Sequence, residues 1–215
     1  IMSTPALVVP AVVVLPRTRA DAVKTVRLAA QYGIPLLPRG GGTSLSGQTI
    51  AQGAVVIDFS KHMNRLLELN VQERWARVEP GLVRDELNAL LKPHGLHFAP
   101  DPATSSRANV GGMIANNAAG TRSICYGMTI DHVAGLDVAL SSGEVLNLGK
   151  LGQEAYEAKC ALKDREGEIY RGFRALIDEN RDEILARYPK VLRRSGGYPL
   201  DAFTGPMPWN MAKIF

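Results

Sequence analysis

The chain has 215 residues, 46% of them apolar and 21% charged, the balance of an ordinary globular protein with a core of its own. Net charge is only +4, aromatic residues make up 6%, and Lys and Arg are scattered apart from Arg193-Arg194, which argues against a nucleic-acid surface. No apolar run approaches the roughly 20 residues of a membrane span. Cys125 and Cys160 form neither a CxxC pair nor a metal-ligand cluster, so two reduced thiols in a cytosolic protein is the better reading.

Residues 1–10 carry no basic region and no cleavage site, so no signal peptide is expected, and Ile1 ahead of Met2 suggests an excised piece of a longer chain. Residues 11–15 read as a β-branched strand closed by Pro16. Thr18 is the expected N-cap of the next helix, with Asp21 in a capping-box position. That helix is expected to run to about Tyr32, burying Ala22, Val23, Val26, Ala29 and Ala30, with Gly33 as its stop. Residues 34–37 and 54–59 read as further strands, apolar without alternation, as in a small parallel sheet covered on both faces.

Residues 65–69 and 74–78 read as paired strands. Val83, Leu87, Leu90 and Leu91 fall at helical spacing up to Pro93 and Gly95. Leu136, Val138 and Leu140 alternate with other residues, Ser142-Gly143 turns the chain, and residues 145–148 complete a hairpin. Residues 149–167 read as an irregular surface excursion. Residues 168–188 read as a helix with Ile169, Phe173, Leu176, Ile177, Ile184 and Leu185 on one face, and the tail from Ser195 is rich in Gly and Pro. A parallel unit followed by a mainly antiparallel one is an α+β arrangement of two subdomains, residues 1–62 and 63–215.

Two glycine-rich segments carry the chemistry. The first, Pro38-Arg39-Gly40-Gly41-Gly42-Thr43-Ser44-Leu45-Ser46-Gly47-Gln48, follows a strand directly. Successive glycines permit positive φ and close backbone approach, and consecutive amides in such a turn form an anion-binding nest suited to a pyrophosphate. A flexible glycine-rich turn is the competing reading. The segment lacks the Gly-Lys-Ser/Thr of a P-loop and the following helix of a Rossmann fingerprint, so Asp58 reads as a strand-end residue; nor is there a G-x-S-x-G elbow at Ser44. The second segment joins Asp101-Pro102-Ala103-Thr104-Ser105 to Gly111-Gly112-Met113-Ile114-Ala115-Asn116-Asn117-Ala118-Ala119-Gly120 and then Tyr126-Gly127. A helix over residues 110–117 would be built of small side chains, and either a planar ring or a closely packed neighbour must cover it. Two such segments in one small domain favour one large shared ligand.

In this order, the two segments resemble the flavoproteins of the vanillyl-alcohol-oxidase superfamily, in particular the D-lactate, glycolate and D-2-hydroxyglutarate dehydrogenase branch. Val78-Glu79-Pro80-Gly81 and Asp131-His132-Val133 match the same branch, while His62-Met63-Asn64-Arg65 and residues 88–100 resemble the large bacterial flavin/iron–sulfur oxidoreductases. The resemblance is strong over residues 8–148 and weak over 166–215.

It implies a PCMH-type FAD-binding domain of two α/β subdomains with FAD between them. Pro38, Arg39, Gly40, Gly41, Gly42, Thr43, Ser44, Gly47 and Gln48 would form the pyrophosphate loop. Asp101, Pro102, Ala103, Thr104, Ser105, Gly111, Gly112, Ala115, Asn116, Asn117, Gly120 and Tyr126 would line the flavin and ribityl chain, and Val133 the adenine end. Relatives with covalent flavin often carry His directly after the glycines; Thr43 stands there, so noncovalent FAD is expected. Met113 and Ala119 stand where relatives often have Asn and Gly.

The implied reaction is oxidation of a 2-hydroxy acid of the D-lactate, glycolate or D-2-hydroxyglutarate type, by hydride transfer from Cα to flavin N5 while a base takes the hydroxyl proton. The cofactor carries the chemistry and the protein supplies orientation and electrostatics. An electron acceptor, whether iron–sulfur, quinone or flavoprotein, is the implied partner. The implied location is cytoplasmic, with contact at the inner membrane only peripheral and through the full-length protein. No catalytic base is assigned: His62, His94, His97 and His132 do not cluster, and His94-x-x-His97 is interrupted by Gly95 and has no third ligand. Residues 210–215 resemble the lead-in to a Gly-Ser-Glu-Gly-Thr segment, so the substrate cap is expected in further sequence and this piece alone is expected to be inactive. A noncatalytic flavin-binding subunit for assembly or electron transfer is the alternative, and a reductase of the cell-wall enolpyruvyl type a more distant one.

Overall fold

The structure is a computed structural model describing residues 8–191, 193–194 and 197–215; the first residues of the chain, and Ser195 at the start of the expected Gly/Pro-rich tail, lie outside it. The β-branched run forms strand β1 (Val12–Val14), and Thr18 caps helix α1 (Arg19–Gln31). The capping box is complete: Asp21 N donates to Thr18 Oγ1 at 3.2 Å and Thr18 N donates to Asp21 Oδ2 at 2.9 Å. Gly33, at φ +62°, turns the chain out of the helix into β2 (Leu36–Arg39), and β3 (Val55–Asp58) follows the glycine loop. The three strands are parallel in the order β1-β3-β2.

The central strand buries Val55, Val56 and Ile57, and α1 packs against it through Ala22 and Ala29, with Val23 and Val26 only half-buried and Ala30 exposed. The expectation of cover on both faces fails at the edge, where Val12 and Val13 of β1 are 48% and 51% exposed.

The second unit opens with β4 (Leu66–Asn70) and β5 (Trp75–Val78), antiparallel with a register shift between Leu66 and Glu68. The corner after β5 is tied back by a bidentate pair: Arg65 Nε and Nη2 donate to Glu79 at 3.1 and 2.9 Å, and Arg65 N donates to the same carboxylate at 2.9 Å. Helix α2 (Arg84–Leu91) buries Leu87 and Leu91 against Leu82 and Val110, while Leu90 points outward; a short 3-10 turn and Gly95 at φ +67° end it. Helices α3 (Val110–Ala115) and α4 (Ser123–Tyr126) lead to the hairpin β6 (Leu136–Ala139) and β7 (Val145–Leu148), whose turn requires Gly143 at φ +80°. Arg27 Nε of α1 donates to the Gly143 carbonyl at 3.3 Å and Arg19 pairs with Asp137 at 3.2 Å, so the hairpin rests on the first unit.

Residues 149–167 are not a surface excursion. They form β8 (Lys150–Leu151) and helix α5 (Gln153–Cys160), whose Tyr156 is wholly buried and donates to the Tyr170 carbonyl at 2.9 Å. One large side chain anchors α5, so no apolar stripe advertises it. Helix α6 (Arg165–Arg187) begins at the Asp164 cap and buries Tyr170, Phe173, Ile177 and Ile184; Leu176 and Leu185, expected on that face, are 43% and 48% exposed. The tail closes this core. Strand β9 (Trp209–Asn210) pairs with β8, and Phe203, Trp209, Met211 and Ala212 are buried, with Phe203 edge-on to Phe173 at 4.9 Å. Among the described residues, no helix is long and apolar enough to cross a membrane.

Candidate functional site

The two glycine-rich segments meet. The loop after β2 lies on the second segment: a Cβ on Gly40 would sit 2.8 Å from Asn109 Oδ1, and one on Gly41 would overlap the Arg107 carbonyl oxygen. Further along, Gln48 Nε2 donates to Ser44 Oγ at 2.7 Å and to Asn116 Oδ1 at 3.0 Å, bridging the loop to the end of α3. Among the described residues, no backbone amide from 40 to 48 donates a hydrogen bond to protein. Gly42 and Gly47 stand at φ +64° and +89°, backbone conformations that glycine adopts without cost. The Arg39 guanidinium folds over Gly42, 2.5 Å from where a Cβ would lie, and adds a cation to this row of donors.

Helix α3 divides its faces sharply. Val110 and Met113 are buried in the domain, whereas Gly112, Ala115 and Asn116 are exposed together at helical spacing. A Cβ on Gly112 would meet nothing within 4 Å. This is an open, nearly side-chain-free helical face beside a row of unpaired amides. Next to it, a cavity of about 250 Å³ is lined by Asn116, Asn117, Ala118, Ala119, Met128, Arg193 and Arg194. A larger cavity of about 390 Å³ at the end of α6 touches neither glycine segment.

Other expected site residues are held by protein partners. Gly111 packs on Pro80 and Gly120 on Asp101, each too close for a Cβ. Asp101 Oδ1 accepts from Arg122 N at 3.0 Å, and Ser105 Oγ donates to Asp85 at 3.1 Å. Pro102 and Thr104 offer their carbonyls to the turn over residues 105–108, and Ala103 is exposed at its tip. Asn117 stands at φ +43°; its Oδ1 accepts from Ile130 N at 3.0 Å and its Nδ2 donates to the Arg194 carbonyl at 3.2 Å. Tyr126 is half exposed and edge-on to His97 at 5.7 Å, with its carbonyl 2.8 Å from His132 Nε2. Val133 packs on the C-terminal core, and its carbonyl accepts from Asn210 Nδ2 at 2.8 Å. Sequence reasoning missed Asn109, Met128 and the placement of Arg193-Arg194; the basic pair stood out in composition, but nothing local tied it to α3.

A family profile described as FAD binding domain matches residues 10–149. The chain belongs to that family. Its domain is 46% identical over 186 residues to a D-2-hydroxyglutarate dehydrogenase of Pseudomonas putida, covering 84% of this chain and 18% of that protein. It is 30% identical over 191 residues to a glycolate oxidase subunit of Bacillus subtilis, covering 85% and 40%. Among solved structures, an alkyldihydroxyacetonephosphate synthase superposes with TM-score 0.59 at 27% identity, over 63% of this chain and 25% of that one. The α+β architecture is therefore that of PCMH-type FAD-binding domains, and the match spans under a third of the length of the dehydrogenases, 18% of the Pseudomonas putida protein and 30% of a D-2-hydroxyglutarate dehydrogenase of Stutzerimonas stutzeri.

The residues present fit FAD. The pyrophosphate needs several donors and no side-chain bulk, which is what the 40–48 loop offers, and the open face of α3 suits a flat ring.

Proposed function

We propose that this FAD-binding domain is part of a flavin-dependent dehydrogenase of 2-hydroxy acids, of the D-2-hydroxyglutarate, glycolate or D-lactate type. The amide-rich 40–48 loop, packed against Arg107 and Asn109 and bridged by Gln48 to Asn116 beside the open face of α3, carries the cofactor half of the reading. The substrate half is supported by the identity to the Pseudomonas putida dehydrogenase over 84% of the chain.

The loop amides, with Thr43, Ser44 and the Arg39 cation, hold the pyrophosphate. Gly112, Ala115 and Asn116 present the surface on which the ring rests, and the cofactor lies at the junction of two subdomains, residues 1–62 and 63–215. Thr43 offers no nucleophilic imidazole, so the flavin is held without a covalent bond. Bound FAD would supply the acceptor for the hydride leaving Cα of the substrate; an electron acceptor is the proposed partner and the cytoplasm the proposed location. The domain's own part is to orient that ring and to surround the pyrophosphate charge with fixed dipoles, which act without reorganising. No base for the substrate hydroxyl is assigned in this chain, so the 215 residues alone are expected to be inactive.

The test is made on the purified full-length protein. Flavin should appear in the supernatant after denaturation, and anaerobic D-2-hydroxyglutarate should bleach its visible band. A protein holding stoichiometric FAD that none of D-2-hydroxyglutarate, glycolate and D-lactate reduces would overturn the substrate class. Absence of bound flavin would overturn the whole reading.

A further inference from the structure

Asn109 is 3% exposed and sits where three segments converge: the turn at Gly40 and Gly41, the corner at Gly81, and the start of α3. Its Nδ2 donates to the Gly81 carbonyl, which fixes the orientation of the amide, because the reverse orientation would set two oxygens against each other. Oδ1 is thereby turned toward the loop. It is fully buried and has no hydrogen-bond partner among the described residues. A buried amide oxygen without a donor is unfavourable and rare, so its surroundings should supply one.

A Cβ built on Gly40 would lie 2.8 Å from this oxygen and one built on Gly41 3.1 Å from it, so the backbone of the turn passes directly over it. The amides of the same turn have no protein acceptor among the described residues. A pyrophosphate offers acceptors only and cannot satisfy an amide oxygen. The N–H groups of the turn, which donate to no protein acceptor among the described residues, are the backbone donors at hand for Asn109 Oδ1.

We propose that Asn109 is a positioning residue for the dinucleotide: its buried amide ties the turn at Gly40 and Gly41 to the corner at Gly81 and so aims the remaining loop amides at the pyrophosphate. The inference rests on the reading that FAD binds here. The residue does not touch the cofactor. Through its packing beneath Gly40 and Gly41 and its bond to the Gly81 carbonyl it holds the turn in one arrangement, a preorganisation that strengthens binding.

The experiment uses the full-length protein and the variant Asn109→Ala. FAD affinity and the ³¹P resonances of the bound pyrophosphate are both measured. The variant should lose about tenfold in affinity, the equivalent of one buried hydrogen bond. Its ³¹P signals should move toward those of free FAD while the visible flavin band stays in place. Val110→Ala, at the neighbouring buried position and packed in the cluster of Leu82, Leu87 and Leu91, is the control for general loosening of α3. It should lower the melting temperature yet keep wild-type ³¹P signals. Asn109→Thr keeps an oxygen in the buried volume and is read in the same way if the alanine variant fails to fold. Unchanged affinity in the Asn109 variants, or ³¹P signals that move equally in Val110→Ala, overturns the proposal alone. A wild-type protein that binds no FAD overturns the reading beneath it.

Discussion

Replacing Gly41 with Val separates folding from cofactor binding. Gly41 is not at positive φ, so the cost is steric rather than conformational. A Cβ there overlaps the Arg107 carbonyl oxygen and lies 3.3 Å from its carbon and 3.1 Å from Asn109 Oδ1. These neighbours are backbone and a buried amide, which yield little. The exposed loop must therefore lift by on the order of 1 Å to regain ordinary contact. The loop contributes no buried apolar side chain, so stability should fall by only about 1–3 kcal/mol, roughly 2–10 °C in melting temperature for a domain of this size.

Binding should suffer more. If two loop amides leave hydrogen-bond range of the pyrophosphate, at about 1.5–3 kcal/mol for each charged bond, FAD affinity falls by roughly 10² to 10⁴-fold. Flavin fluorescence titration of the full-length variant, beside its thermal melt, checks both parts. Wild-type affinity in a folded Gly41→Val protein would refute the assignment of this loop.

Gly112→Ala should move stability and binding in opposite directions: alanine stabilises a helical site by about 0.5–1 kcal/mol in the apoprotein, and because open space lies beyond Gly112, the added methyl should weaken FAD binding if the ring rests there. A variant that binds FAD as tightly as wild type would move the ring off this face. Arg65→Ala should lower stability by leaving buried Glu79 with only its backbone donor. The hydrogen bond from Arg65 holds the Glu79 carboxyl below its ordinary value of 4.5, against the opposing effect of burial, so this stabilisation is complete above that pH and disappears as pH falls through the lowered value. Melts from pH 7 to pH 3 should show the gap between variant and wild type closing; a constant gap would refute the ion pair as its source. Tyr156→Phe should cost about 1 kcal/mol by breaking the bond to the Tyr170 carbonyl, whereas Tyr170→Phe removes a buried hydroxyl with no partner among the described residues and should be neutral or stabilising. Chemical denaturation of the pair tests the contrast, and equal losses would contradict it.

What was legible in the sequence was local chemistry. Thr18 and Asp21 form a capping box wherever they stand at that spacing before a helix, and Gly33, Gly95 and Gly143 mark backbone conformations that other residues resist. Helix α5 and the tail were illegible for the opposite reason: Tyr156, Phe203 and Trp209 are buried by partners far away in the chain, and neither segment repeats an apolar residue often enough to betray a face. Leu176 and Leu185 mark the reverse error, apolar side chains counted into a stripe that the packed helix turns toward solvent.

The site shows the same division more sharply. Small-residue composition pointed to the second segment, but composition cannot say which glycine leaves room for a ligand and which for a neighbour. The distinction is what a Cβ would meet. At Gly111 it would meet Pro80, at Gly120 Asp101, and at Gly112 nothing. Two of these glycines therefore shape the protein that carries the site, and the third leaves the surface on which a ring can lie. Asn109, an unremarkable polar residue between Ala108 and Val110, becomes informative only when the loop at Gly40 is laid across it, a relation between positions far apart in the chain that no local spacing encodes.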